Sequence, residues 1–151
     1  MGTPVIFVSL NYRMGAFGML AGSEAEKAGV TNILLHDLQQ ALAWLKENIA
    51  EFGGDPSSHC VRAAIMESGS PYHVQLLTSE ADKEASFTGL LNATNYTKAP
   101  DALACLRKAP ASSLLKAASN TISVDGEILP ESGPTAMANG HCLKVPILNR
   151  N

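Results

Sequence analysis

Apolar residues follow two distinct rhythms along this chain. Residues 4–10 (PVIFVSL) are an almost unbroken apolar run rich in β-branched side chains, the pattern of a strand buried on both faces of a parallel sheet. From Leu34 the period changes. Leu34, Leu38, Ala41, Leu42, Leu45, Ile49 and Phe52 recur at three- and four-residue steps, while Gln39, Gln40, Lys46 and Glu47 fall off that stripe. Gly53-Gly54 and Pro56 stop this amphipathic helix. A strand followed by such a helix is the first half of a βαβ unit.

Weaker signals order the rest. Asn11-Tyr12-Arg13, with Gly15 and Gly18, predicts a loop, and residues 63–66 predict the next strand. Asp101 is placed as the N-cap of a helix running through Lys108, and Pro110 separates it from a second helix near residues 112–118. Asp125-Gly126 predicts a turn between residues 122–124 and 127–129. Residues 145–148 predict one more strand, and no internal repeat or low-complexity tract interrupts the sequence.

Composition narrows the class. A chain of 151 residues suits one domain, which would bury about 68–70% of its unfolded surface. Its 46% hydrophobic and 17% charged residues are those of a globular protein. A net charge of −3 offers no basic field, which argues against nucleic acid as a partner. No apolar run reaches the length of roughly 18 residues that a membrane span requires. Met1-Gly2-Thr3 enters the apolar run with no Lys or Arg before it, unlike a signal peptide, which predicts a cytoplasmic chain. Ile6 stands where a myristoylation motif wants Ser or Thr. The expectation is therefore a buried strand whose preceding sequence is absent. Three cysteines, Cys60, Cys105 and Cys142, are an odd number for a disulfide framework. Asn92-Ala93-Thr94 and Asn95-Tyr96-Thr97 are N-glycosylation sequons, making Asn92 and Asn95 candidate acceptors.

Several segments together resemble one family. FGGDP at residues 52–56, after the long helix, and AIMESGSP at residues 64–71 are similar to type-B carboxylesterases and lipases, the cholinesterase-like branch of the α/β-hydrolases. Residues 4–17 resemble the family's strand ending in N-Y-R, and residues 29–56 its following helix. Residues 101–115 resemble a helical pair of the fungal lipase-like members, and residues 124–130 and 145–149 two later segments. The resemblance implies a fold class of α/β, an incomplete α/β-hydrolase fold with a partial, mostly parallel sheet and flanking helices. It implies that residues 1–151 are a fragment of one such domain, with an apparent internal deletion near residues 57–63. It also implies carboxylic-ester hydrolysis through an acyl-enzyme, a small-molecule carboxylic ester as partner, and no cofactor. The family is mostly secreted, and the oligomeric state stays open.

The same resemblance defines what chemistry to look for. An esterase of this fold needs a serine on a strained G-x-S-x-G elbow, a histidine oriented by an acid, and backbone N–H groups for the oxyanion. In the family a strand, the elbow and a helix lie between the two flanks, where this chain has only residues 57–63 (SSHCVRA). No G-x-S-x-G occurs anywhere in the sequence. The family's oxyanion loop precedes the segment resembling residues 4–10, and its acid and histidine follow the segment resembling residues 145–149. No catalytic, cofactor-binding or metal residue is therefore assigned. The small disulfide that fungal lipase-like members make near their A-C-L segment has no partner here, since no cysteine lies between Cys60 and Cys105. In the family sheet the strands matching residues 4–10 and 63–66 are not neighbours but have two strands between them, a separation of roughly 14 Å. They must either pair anew or leave backbone groups unpaired, so marginal stability is expected.

Other residues supply weaker candidates. Met66-Glu67-Ser68-Gly69-Ser70 imitates the elbow with Met and Ser in place of the glycines, and Ser68 or Ser70 with His73 and Glu67 are close in sequence only. His36 and Asp37 lie at a helix start, where Asp37 favours the dipole. His59-Cys60 and His141-Cys142 are too far apart for a compact zinc pattern. Arg13 is expected to pair with Asp37 or Glu67. Three functions stay open: a relative that does not hydrolyse esters, an active esterase whose coding sequence is incompletely represented, and a non-catalytic binding protein.

Overall fold

A computed structural model describes residues 5–57, 61–70, 76–117 and 122–150. After a short 3-10 turn at Gly15–Phe17 come helix α1 (Ser23–Lys27) and helix α2 (Ile33–Asn48). Helix α2 tightens into a 3-10 turn at Ile49–Phe52 and closes at Gly53, whose φ of 82° is a conformation glycine adopts without strain. This is the long helix that the apolar stripe and the double glycine predict.

Strand β1 (Ala64–Glu67) and the two-residue strand β2 (Leu76–Leu77) follow, then helix α3 (Glu80–Thr94). Helix α4 (Ala102–Lys108) starts where the sequence places it: the Asp101 carboxylate accepts from Ala104 N at 2.8 Å, while Arg107 and Lys108 occupy the last turn. Helix α5 (Ala111–Ala117), strand β3 (Ile122–Ser123), helix α6 (Gly133–Asn139) and strand β4 (Ile147–Arg150) complete the order.

The parallel pairing of an α/β fold is present in two short sheets. Strand β1 pairs with β4 from Ala64–Ile147 to Glu67–Arg150, and β2 pairs with β3 through Leu76–Ile122 and Leu77–Ser123. The packed core lies among the helices. Phe87 and Leu90 of α3, Leu103 and Leu106 of α4, and Leu114 of α5 are buried together, with Ala16, Leu20 and Val30 against them. Lys83 of α3 is buried as well, its ammonium donating to Glu26 at 2.9 Å and Glu80 at 2.8 Å.

Residues 5–10 depart from expectation. They form no strand, and no backbone hydrogen bond reaches them among the described residues; Pro4 lies outside those residues. Val5 and Phe7 are 88% and 90% exposed, whereas Ile6, beside Gly54, and Val8 and Leu10, toward α2, keep 45%, 44% and 37% exposure. Val8 and Leu10 face Ala41, Trp44 and Leu45 across a shallow cleft. The physical reason is pairing. β-branched composition favours a strand only where a neighbour completes the ladder, and no described strand lies beside this segment. Of the two alternatives in the sequence reading, the unpaired one is observed. Helix α2 is correspondingly bare: only Leu34 of its stripe is buried, and Leu42 and Phe52 are exposed.

A second departure concerns residues 127–129. The turn forms at Asp125-Gly126, with Gly126 at φ 76° and Asp125 N donating to Leu129 O at 3.1 Å. The returning segment takes no strand, because Asp125 Oδ1 instead accepts from the backbone N–H groups of Glu127 and Leu129.

Candidate functional site

Strand β1 carries the one local feature of a nucleophile elbow. Ser68 follows the strand at φ 57°, a left-handed conformation uncommon for a residue other than glycine, and its N–H donates to Arg150 O at 2.9 Å. A serine held this way at the carboxyl end of a parallel strand occupies the position where α/β sheets place ligands. The side chain is exposed, and its hydroxyl has no hydrogen-bond partner among the described residues. Glu67 is exposed and makes no ion pair there either. His73, the base considered beside it, lies outside the described residues. The strand-end backbone is therefore strained as an elbow is, with no base hydrogen-bonded to the Ser68 hydroxyl among the described residues.

Arg13 and Asp37 form the ion pair that the sequence reading offered as one alternative. Arg13 Nη2 lies 2.5 Å from Asp37 Oδ1, Nε donates to Oδ2 at 2.9 Å, and Arg13 N donates to Oδ2 at 2.9 Å. This fork ties the N-Y-R loop to the first turns of α2. Hydrogen bonds from the Arg13 guanidinium and N–H hold the Asp37 carboxyl down at about 2. Both groups are consumed by the pairing, so the arrangement is structural. His36 beside it is exposed.

The described residues contain one histidine oriented by an acid, and sequence reasoning missed it. His141 Nδ1 lies 2.6 Å from Glu131 Oε1, and Asn139 Nδ2 donates to the other carboxylate oxygen at 2.9 Å. The contact with His141, joined by the bond from Asn139, lowers the Glu131 pKa. Helix α6 closes this loop: Ser132 caps its start, accepting from Thr135 N, and Gly140 at φ 72° turns the chain so that His141 returns to Glu131. The signal in the sequence was the capped helix between them, S-G-P-T followed by N-G. No serine hydroxyl or cysteine thiol hydrogen-bonds the imidazole among the described residues.

The remaining candidates resolve individually. His141 turns to Glu131 and not to a metal cluster with Cys142, and no group of three or more His, Cys, Asp or Glu suited to a metal occurs among the described residues. His59 and Cys60 lie outside those residues. Cys105 is half-buried and Cys142 exposed, both as free thiols. Asn92 lies in the last turn of α3, and Asn95 caps it at φ 62°; both are exposed.

Comparison with known proteins decides the family. The model of the carboxylesterase family matches residues 1–61. Lipase 2 of Geotrichum candidum is 30% identical over 199 aligned positions, covering 100% of this chain and 35% of that lipase. Lipase 2 of Diutina rugosa is 34% identical over 153 positions, covering 82% of this chain and 28% of that protein. The crystal structure of Aspergillus niger EstA superposes with a TM-score of 0.78 at 26% identity, covering 91% of this chain and 34% of EstA. The chain belongs to the carboxylesterase family. It spans about a third of the length of the curated relatives it matches. Its carboxylesterase match at residues 1–61 contains the Arg13–Asp37 fork, whereas Ser68 and the β1–β4 pair lie beyond it, in the part reached by the alignment with the Geotrichum lipase. The superposition also establishes the α/β-hydrolase fold class, of which the two short parallel sheets and flanking helices are a part.

Proposed function

We propose that these 151 residues are a carboxylesterase-family chain that does not hydrolyse esters by itself. One observation carries this reading: Ser68 has the strained strand-end backbone of a nucleophile but no imidazole hydrogen-bonded to it among the described residues. A serine hydroxyl attacks an acyl carbon only when a base takes its proton, and the resulting oxyanion needs preorganised N–H donors. The sequence contains no G-x-S-x-G. Met66 and Ser70, in place of the two glycines, bring Cβ atoms to where an elbow must pack closely. The His141–Glu131 pair has the base-and-acid half of a triad, with no serine or cysteine hydrogen-bonded to it among the described residues. We further propose an internal deletion near residues 57–63. The Geotrichum alignment needs 199 positions to place 151 residues, a difference of 48. That is room for the strand, elbow and helix the family resemblance puts there.

The substrate class of a complete protein of this kind is a carboxylic ester. Asn92 and Asn95 are its candidate glycosylation acceptors if the chain enters the secretory route. A fluorophosphonate probe, which traps activated serines covalently, tests the proposal on the purified chain. Mass spectrometry should find no labelled serine above a heat-denatured control. Selective labelling of Ser68 or Ser70 would overturn it. The same 48-position difference favours a second reading, an active esterase whose transcript retains the missing segment. Sequencing the message across the codons for residues 59–62 separates the two.

A further inference from the structure

An apolar cavity away from Ser68 lies between the N-Y-R loop and the helical core. It has a volume of about 360 Å³ and is walled by Phe17, Leu20, Leu90, Leu103 and Leu114. That size falls within the range of about 300–1,000 Å³ typical of small-molecule sites, which are mostly apolar with a few placed polar groups. Here the charged lining among the described residues is two arginines, with no acid. Arg13 is neutralised by its fork with Asp37. Arg107, at the end of α4, is exposed, and its guanidinium makes no hydrogen bond or ion pair among the described residues. An apolar chamber with one uncompensated guanidinium at its mouth has the complementarity of a single-tailed monoanion.

We propose that this cavity binds a medium-chain monocarboxylate, its alkyl chain among Leu20, Leu90 and Leu103 and its carboxylate forked on Arg107. A carboxylate is preferred to a phosphate because one guanidinium supplies one charge and one two-pronged donor edge. The site is remote in sequence from Ser68 and owes nothing to ester hydrolysis, so it stands whether or not the chain is an enzyme.

Calorimetric titration of the full chain with octanoate and octanol is the test. Octanoate should bind one-to-one and about tenfold tighter than octanol, the margin of a hydrogen bond to a charged group. R107Q, at an exposed position, should keep the wild-type melting temperature and bring octanoate to the affinity of octanol. A109W, which fills the chamber, should remove both. Octanoate binding no tighter than octanol, affinity unmoved in R107Q, or uptake of several equivalents on the exposed apolar surface would each overturn the proposal.

Discussion

Asn32 and Ser123 exchange hydrogen bonds across 91 residues of chain: Asn32 Nδ2 donates to Ser123 O at 2.7 Å, and Ser123 N donates to Asn32 Oδ1 at 3.0 Å. Both residues are fully buried, and Asn32 Nδ2 also donates to Asp125 Oδ2 at 2.7 Å. Thr31 Oγ1 adds a fourth bond to that carboxylate. Burial alone would raise the Asp125 pKa, but the bonds from Leu129, Glu127, Asn32 and Thr31 outweigh it and hold the pKa below its usual value. One side chain thus fastens the start of α2 to the end of β3.

Replacing Asn32 leaves Ser123 N and O buried without partners. N32A should destabilise the chain by about 2–4 kcal/mol, read as a lower urea midpoint. N32G, which suits the φ of 48° but lacks the amide, should be almost as damaging. Ser123 Oγ itself has no partner, the one buried side-chain polar atom so placed among the described residues. S123A should therefore be neutral or stabilising by up to about 1 kcal/mol, since the bonds to Asn32 use the backbone of Ser123.

The Arg13–Asp37 fork gives stability a defined acid dependence. The Asp37 pKa is lowered from 3.8 to about 2 in the folded chain, so its stabilisation is present above about pH 4 and lost as pH falls through about 2. Melting temperatures of wild type and D37N should differ at pH 5 and converge toward pH 2. An unchanged gap across that window would count against the fork.

Lys83 is buried, while its partners Glu26 and Glu80 keep side-chain exposures of 28% and 71%. Burial disfavours its charge, yet the two carboxylates outweigh that and raise its pKa. Because both carboxylates reach water, removing the ammonium strands no buried charge. K83M should alter stability by less than about 1 kcal/mol, whereas K83A, which also loses the packed alkyl stem, should cost about 1–2 kcal/mol in chemical denaturation.

The unpaired segment at residues 5–10 makes self-association the expected failure of this chain. Val5, Phe7, Ile65 and Leu148 are 88%, 90%, 72% and 64% exposed. A V5K/F7K variant should bind less anilinonaphthalene sulfonate and remain soluble at higher concentration, with little change in melting temperature. Unchanged dye binding would locate the sticky surface elsewhere.

Legibility followed the range of the interactions involved. The Asp101 cap of α4 and the stripe, glycines and proline around α2 act within one or two turns, and both helices stand where the residues place them. The strand at residues 4–10 failed because a ladder belongs to two strands, and residue composition describes only one. Helix α3 escaped notice because its apolar residues follow no single stripe. Its Ser79-Glu80-Ala81-Asp82 start was nonetheless a readable cap: Ser79 Oγ accepts from Asp82 N at 3.1 Å. At the site, the Arg13–Asp37 pair could be named as an alternative because a loop and the following helix start are neighbours in any such unit. Glu131 and His141 meet only after α6 caps and turns; the S-G-P-T and N-G signals mark the ends of that helix but do not announce the pairing itself. The left-handed φ of Ser68 is likewise set where the chain leaves its pairing with Arg150.

The central claim is that a family scaffold is present without its chemistry. Turnover of a short-chain nitrophenyl ester by the purified chain, against an S68A/S70A control, tests it most directly. The account predicts equal, background rates for the two proteins. Robust hydrolysis by the wild type that disappears in the double variant would contradict it.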